Sequence, residues 1–259
     1  MEFIGSTEFF HMYNQILSEA DIDENIKNEL VNEDLISKYV KITNTLIESN
    51  KKFNLTAIKE PKDIIIKHII DSVLPFLLLE KKGKIDLNSA KNICDVGTGA
   101  GFPLLPLGAV LMARNAKTVL IGIDSTEKKL KHIQESAEQA GLGNIKTASG
   151  RAEEISRTHF REKFDIVTAR AVAPMGILME LTIPLTKVNG CFIALKGQKE
   201  KETEDIAGAA RILGAELADV IDYSIPGGDT RTVYLFNKTE RTPGIYPRRY
   251  TEIKKKPVV

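Results

Sequence analysis

The stretch NICDVGTGAGFP, residues 92 to 103, carries the densest chemical signal in the chain. An apolar segment ends at Asp95 and Val96, and Gly97, Gly99 and Gly101 then alternate ahead of Phe102 and Pro103. Glycines so placed let the backbone turn sharply and let a ligand approach without a Cβ in the way. They stand at the carboxyl edge of a strand, where doubly wound sheets bind their ligands. The spacing is G-x-G-x-G, and the dinucleotide fingerprint would want its third glycine where this chain has Phe102. An acid just before the glycines suits a cofactor that carries an amine. A tight turn with a purely structural role is the alternative.

The next apolar segment, TVLIGID, ends in Asp124, roughly twenty residues after the glycines. A carboxylate at that distance accepts hydrogen bonds from ribose hydroxyls and repels a 2′-phosphate. It would equally cap a helix beginning near Lys128. SGRAEE then presents Arg151, Ala152, Glu153 and Glu154, and TARAVAP ends an apolar run on Arg170. A guanidinium there needs an anion or a wet cleft, because its charge cannot sit unpaired in a core. A salt bridge to Asp95 or Asp165 is the competing expectation. His11, His68, His132 and His159 show no metal-ligand spacing, so no metal is expected. His132 and His159 read as surface residues. His68 and Asp71 read as an i, i+3 pair on a helix surface.

These residues need a frame. From Lys91 onward, short β-branched runs (NICDV, TVLIGID, IKTAS, FDIVTARAV, GCFIALKG) alternate with helical stretches at Pro103 to Ala113, Thr126 to Ala140, Met175 to Thr186 and Lys199 to Leu213. That rhythm predicts a mostly parallel, doubly wound sheet. AELADVIDYSIP and TRTVYLFNK follow without a helix between them, so an antiparallel pair should close one edge. Ahead of the sheet, DLISKYVKITNTLIESN has apolar residues at three- and four-residue steps, with Asn32 or Asp34 as its cap. A second helix should run from Pro61 to near Leu79, with KKFNLTAIKE as connector. After the sheet, ERTPGIYPRRYTEIKKKPVV reads as a solvated basic tail. The expected divisions are 1–85, a helical extension; 86–240, the α/β domain; and 241–259, the tail.

The whole chain has 259 residues, with 36 Lys+Arg against 35 Asp+Glu and 42% hydrophobic residues. Such a balance excludes a disordered chain and a wholly basic nucleic-acid coat protein, while leaving room for a local basic face. No apolar run approaches the ~18–20 residues that cross a bilayer, and the first residues lack a secretory pattern, so a cytoplasmic protein without membrane attachment is expected. Cys94 and Cys191 sit in separate apolar segments and read as core thiols.

FNLTAI (53–58), KHIIDS (67–72), CDVGTGAGFP (94–103), DSTEKK (124–129), GRAEE (150–154), FDIVTARAVAP (164–174), ALKG (194–197) and YPRR (246–249) together resemble the RsmG (GidB) family of 16S ribosomal RNA guanine-N7 methyltransferases. The resemblance implies a Rossmann-like class I S-adenosylmethionine-dependent methyltransferase fold. That fold is a mostly parallel seven-stranded sheet with an antiparallel edge, here behind a small helical extension. S-adenosyl-L-methionine is then the cofactor, with Asp95, Gly97, Gly99, Gly101, Phe102, Asp124, Ser125, Thr126, Ala152, Glu153 and Arg170 as its site. The partner is 16S ribosomal RNA or the small ribosomal subunit, met by Arg151, Lys196 and Arg231, and a monomer is expected; local positive charge adds Lys128, Arg248 and Arg249 as candidates for the same contact. Ser49-Asn50 stands where the family leads one to expect Trp-Asn, and Leu104-Leu105 where Gly-Ile is common.

Guanine N7 already has an available lone pair, so methylating it needs alignment and no general base. No catalytic acid or base is therefore expected, and Arg170 is left a positioning role. Two rivals share the glycine loop: a small-molecule methyltransferase on the same fold and a non-catalytic nucleotide-binding module.

Overall fold

Three helices open the chain: α1 (Ser6–Glu19), α2 (Glu24–Leu30) and α3 (Glu33–Phe53). In this computed structural model, which describes residues 3–170, 172–197 and 205–258, α3 buries the stripe its sequence periodicity indicates, Leu35, Ile36, Tyr39, Val40, Leu46 and Ile47. Asn32, and not Asp34, caps it, accepting from the Leu35 backbone N–H at 3.0 Å. The helix continues through Lys51 to Phe53, into the stretch expected to be a connector. It stops at Asn54, which takes up the left-handed conformation.

Pro61 begins α4 (Pro61–Ile64), as expected of a proline at a first turn. The helix then widens into π turns over Ile65–Ile70 and resumes as α5 (Asp71–Lys81). A π stretch changes which side chains lie above one another. His68 and Asp71 are both buried here, so the water-facing pair is not what forms.

The α/β layer follows in chain order: β1 (Asn92–Val96), α6 (Leu104–Ala113), β2 (Val119–Asp124), α7 (Glu127–Gln139), β3 (Ile145–Ser149), α8 (Ala152–Ile155), β4 (Phe164–Arg170), α9 (Met175–Thr182), β5 (Thr186–Lys196), α10 (Ile206–Ile212), β6 (Ala215–Ser224), β7 (Thr230–Lys238) and α11 (Tyr250–Lys255). The strand order is β3-β2-β1-β4-β5-β7-β6, with β7 antiparallel to both of its neighbours. The order of strands reverses between β1 and β4, and this switch point is where an open α/β sheet leaves a crevice beyond its carboxyl ends. The expected helix to Thr186 stops at Thr182, since Ile183–Leu185 form a 3-10 turn that leads straight into β5. The start of the helix expected at Lys199 lies outside the described residues.

The helical extension shares one apolar core with the sheet, running from Tyr13 and Tyr39 through Ile69 and Val110 to Leu235. His132 corrects another expectation. It is buried on α7 and joined to Ser49 Oγ on α3 at 2.9 Å, and burial lowers its pKa to about 4. Cys94 and Cys191 are free, buried thiols.

The C-terminal segment is no solvated tail. Arg161 donates to the carbonyls of Thr242 at 2.7 Å and Tyr246 at 2.9 Å, and Arg157 donates to that of Pro247 at 3.1 Å. Ile253 is fully buried. Its polar sequence concealed a fixed position because its partners are arginines some eighty to ninety residues away in the chain.

Candidate functional site

The backbone after β1 is tied to the end of β2 through Gly97 N–H and Thr98 N–H, which both donate to the Ile123 carbonyl at 2.8 and 3.0 Å. Gly97, Gly99 and Gly101 all have positive φ, a conformation L side chains rarely adopt. A Cβ on Gly97 would in addition come within 2.7 Å of Val172 Cγ2. Asp124 ties this loop to the one after β2: its carboxylate accepts from Gly99 N–H at 3.1 Å and Thr126 N–H at 2.9 Å, with Lys129 Nζ 3.7 Å away. Asp124 does not cap α7, whose N-cap is Thr126 without a side-chain cap bond, and a carboxylate with about four acceptor positions still has room for a ligand.

Around these loops lies a cleft of about 340 Å³, within the size range of small-ligand sites. Of the residues singled out from sequence, Gly97, Asp124, Ser125, Thr126, Arg151, Ala152 and Glu153 line it. Gly99 and Gly101 do not line it, and a Cβ on Gly101 would meet Leu105 and Ile133. Asp95 lies beneath, 1% exposed, with Oδ2 lacking any partner among the described residues. Burial pushes its carboxyl up to about 7, against the opposing pull of Thr98 and Arg170. A glycine cradle, an acid at the end of β2 and a buried carboxyl with one unpartnered oxygen fit a nucleoside cofactor bearing an amine, as S-adenosylmethionine does. Val172 and Tyr250 also line the cleft, and neither stood out from sequence as a cofactor residue.

Phe102 and Arg170 turn to the other side of the switch point. There a second cleft, about 700 Å³, is lined by Lys67, His68, Asp71, Arg170, Lys196, Tyr223 and Arg231 among others. Arg170 does not pair with Asp95 or Asp165. Its Nη1 donates to the Lys67 carbonyl at 3.0 Å and lies 3.6 Å from Asp71 Oδ2. Asp165 is instead taken by Lys187 and by the backbone N–H groups of Lys91 and Asn92. Asp71 also accepts from Arg231 Nε at 3.2 Å and from the Tyr223 hydroxyl at 3.3 Å. One carboxylate thus serves two guanidiniums, while Asp229 pairs with Arg231 at 3.4 Å and Asp63 with Lys67 at 3.0 Å.

His68 stacks on Phe102 with ring centroids 4.6 Å apart. Its Nδ1 faces Arg170 Nη2 at 3.4 Å and its Nε2 faces Thr56 Oγ1 at 2.9 Å. A guanidinium only donates, so Nδ1 accepts and Nε2 carries the proton. Burial, reinforced by Arg170, lowers the His68 pKa to about 3 and keeps the ring neutral. FNLTAI and KHIIDS were the visible traces of Thr56, His68 and Asp71. Tyr223 had no trace, being one aromatic on an edge strand.

The basic residues expected to meet RNA separate into groups. Lys128 is exposed, its ammonium 5.7 Å from the Phe53 ring centroid, and Arg249 is exposed next to Tyr250. Arg231 and Lys196 line the second cleft, with Lys196 Nζ donating to the Ala173 carbonyl at 2.7 Å. Arg151 bonds Glu153 at 2.5 Å and stacks over the Tyr250 ring at 4.4 Å. Arg248 is redirected: its backbone N–H, Nε and Nη2 donate to the fully buried carboxylate of Glu180 at 2.7, 2.9 and 2.6 Å. That commitment leaves its guanidinium little to offer a phosphate. Among the described residues no group of three His, Cys, Asp or Glu is placed to hold a metal ion, and no helix is long and apolar enough to cross a membrane.

Comparisons with known proteins point to one family. The family described as rRNA small subunit methyltransferase G (GidB) matches residues 33–223. Proteins named ribosomal RNA small subunit methyltransferase G are similar throughout. That of Acetivibrio thermocellus is 38% identical over 88% of this chain and 90% of its own. That of Clostridium perfringens is 40% identical over 88% and 92%, and that of Lactobacillus delbrueckii subsp. bulgaricus 38% identical over 95% and 100%. Among solved structures, the O-methyltransferase from Bacillus cereus in complex with SAH superimposes with a TM-score of 0.55 at 15% identity, over 86% of this chain and 100% of that one, which speaks to the fold.

Proposed function

The chain belongs to the GidB family of rRNA small subunit methyltransferases, and from that premise we propose that it methylates N7 of a guanine in 16S ribosomal RNA with S-adenosylmethionine as donor. The observation that carries the reading is the pair of clefts on either side of the switch point: one cradled by glycines and Asp124, the other lined by Arg170, Arg231 and Lys196. When bound, S-adenosylmethionine supplies an electrophilic methyl on a sulfonium sulfur. Gly97 and its neighbours admit it closely, Asp124 holds the ribose hydroxyls, and Asp95 meets the amine from below. On the other side Arg170, fixed by Lys67 and Asp71, and His68, stacked on the buried Phe102 ring, face the guanine.

Among the described residues that line the second cleft, none is poised to take a proton. His68 has both ring nitrogens engaged and a depressed pKa, and Asp71 is occupied by two arginines and a tyrosine. An exocyclic amine would need a proton removed during methylation, whereas N7 does not, and this favours N7. Asp71 also offsets the arginine charge near a base that becomes cationic on methylation.

We read residues 1–85 as a helical extension buttressing the site, 86–240 as the methyltransferase domain and 241–259 as a segment packed on it. We propose further that the protein acts as a monomer in the cytoplasm. The test is incubation with methyl-labelled S-adenosylmethionine and small-subunit RNA or 30S particles lacking their modifications, followed by mapping of the labelled base. Label at one guanine N7 is expected. Label on another atom, or on small molecules alone, would overturn the reading.

A further inference from the structure

The C-terminal segment reaches the cofactor-side cleft at a single aromatic residue. Tyr250, the first residue of α11, lines that cleft together with Gly150, Arg151 and Ala152, on the β3 side of Asp124. Its ring is held by the Arg151 guanidinium at 4.4 Å, and Arg151 is itself oriented by Glu153 at 2.5 Å. The position is fixed from both directions along the chain. Arg248, two residues earlier, is clamped on buried Glu180, and Ile253, three residues later, is fully buried. Arg157 and Arg161 hold the backbone leading into it. An aromatic ring anchored this firmly, yet half-buried at a cleft, presents surface to a ligand at little ordering cost. Asp124 assigns the ribose to the middle of the cleft, so the attached base extends toward β3, Ala152 and Tyr250.

We propose that Tyr250 is a cofactor-binding residue, forming with Arg151 the outer wall against which the adenine of S-adenosylmethionine packs. The C-terminal segment is then a built part of the cofactor site. This inference rests on the reading of that cleft as the S-adenosylmethionine site, and the experiment keeps the two separable. Aromatic contact with a base, removed by alanine substitution, weakens binding by about tenfold.

Calorimetry with S-adenosylhomocysteine is carried out on the full chain and on Tyr250→Ala, Tyr250→Leu, Tyr250→Phe and Asp124→Ala. Alanine and leucine at 250 should each weaken binding about tenfold, and phenylalanine should hold it within about twofold. The chain has no Trp and six Tyr, so tyrosine difference absorption reports the contact directly. The full chain should show a ligand-induced difference spectrum that Tyr250→Leu diminishes. Leucine keeps apolar bulk, and Arg248 and Ile253 still anchor the segment, so unchanged melting of the unliganded variant separates ring contact from unfolding. If Asp124→Ala weakens binding while both Tyr250→Ala and Tyr250→Leu bind within about twofold of the parent, Tyr250 is no cofactor residue and the cleft assignment stands. If the parent chain does not bind the ligand, both fall.

Discussion

Replacing Arg248 by alanine should cost more stability than any ordinary surface substitution, and the structure sets the amount. Glu180 is fully buried, and two of its bonds come from the Arg248 side chain, at 2.9 and 2.6 Å. Hydrogen bonds to a charged group contribute ~1.5–3 kcal/mol each, so their removal totals roughly 3–6 kcal/mol. Breaking one side of a buried ion pair costs ~3–5 kcal/mol by an independent route. A quarter of the Arg248 side chain remains in solvent, which screens the pair and favours the lower end, about 3 kcal/mol. Urea unfolding should register that difference in Arg248→Ala. Thermal melting should fall by about 6–12 °C at ~2–4 °C per kcal/mol for a chain of this size. The double variant Arg248→Met, Glu180→Met removes the stranded charge together with its partner and should recover most of the loss. The reasoning fails if Arg248→Ala costs under about 1 kcal/mol, or if the double variant is as unstable as the single one.

Other consequences concern the site. Asp124→Ala should weaken S-adenosylhomocysteine binding at least about tenfold in calorimetry while RNA affinity holds, since two ribose bonds to a charged acceptor disappear. Arg170→Lys keeps the charge but cannot reproduce the planar contacts to the Lys67 carbonyl and Asp71; turnover should drop well beyond any loss of folding stability, and wild-type turnover with a lowered melting temperature would mark a structural role. Asp95 has a folded pKa raised to about 7, so the native state binds the extra proton between roughly pH 4 and 7 and its contribution to stability declines as pH rises through that window. Asp95→Asn should therefore melt higher than the parent at pH ~8 and show no such advantage near pH ~4, and a pH-independent difference would refute the assignment. Changing Arg249, Lys254 and Lys255 to alanine spares Arg248, Tyr250 and Ile253. If those exposed cations meet RNA phosphates, the slope of log affinity against log salt should flatten by about 0.7–0.9 for each phosphate no longer neutralised, with cofactor affinity unchanged.

Features set by neighbours along the chain were legible without a structure. The alternation of β-branched runs with amphipathic stretches, the glycines after Asp95 and the acid ending β2 are local patterns, and strand and helix periods translate them directly into a sheet edge with a ligand cleft. The order of quoted motifs pointed to the family for the same reason, since each motif is contiguous. What tertiary structure alone decided is pairing across distance. Arg170 chose Asp71, about a hundred residues earlier, over the nearby Asp165, because the π stretch brings Asp71 to the switch point while Lys187 occupies Asp165. His132 looked like a helix surface residue, yet α3 covers it with Ser49. The basic run at the C-terminus had the composition of a solvated tail, but a buried Glu180 and the carbonyl-seeking Arg157 and Arg161 hold it down. Charges at such separations carry no period in the sequence. Their partners are set by which elements the core packs together, and that is why Tyr250 reaches the cleft beside Asp124 from the far end of the chain.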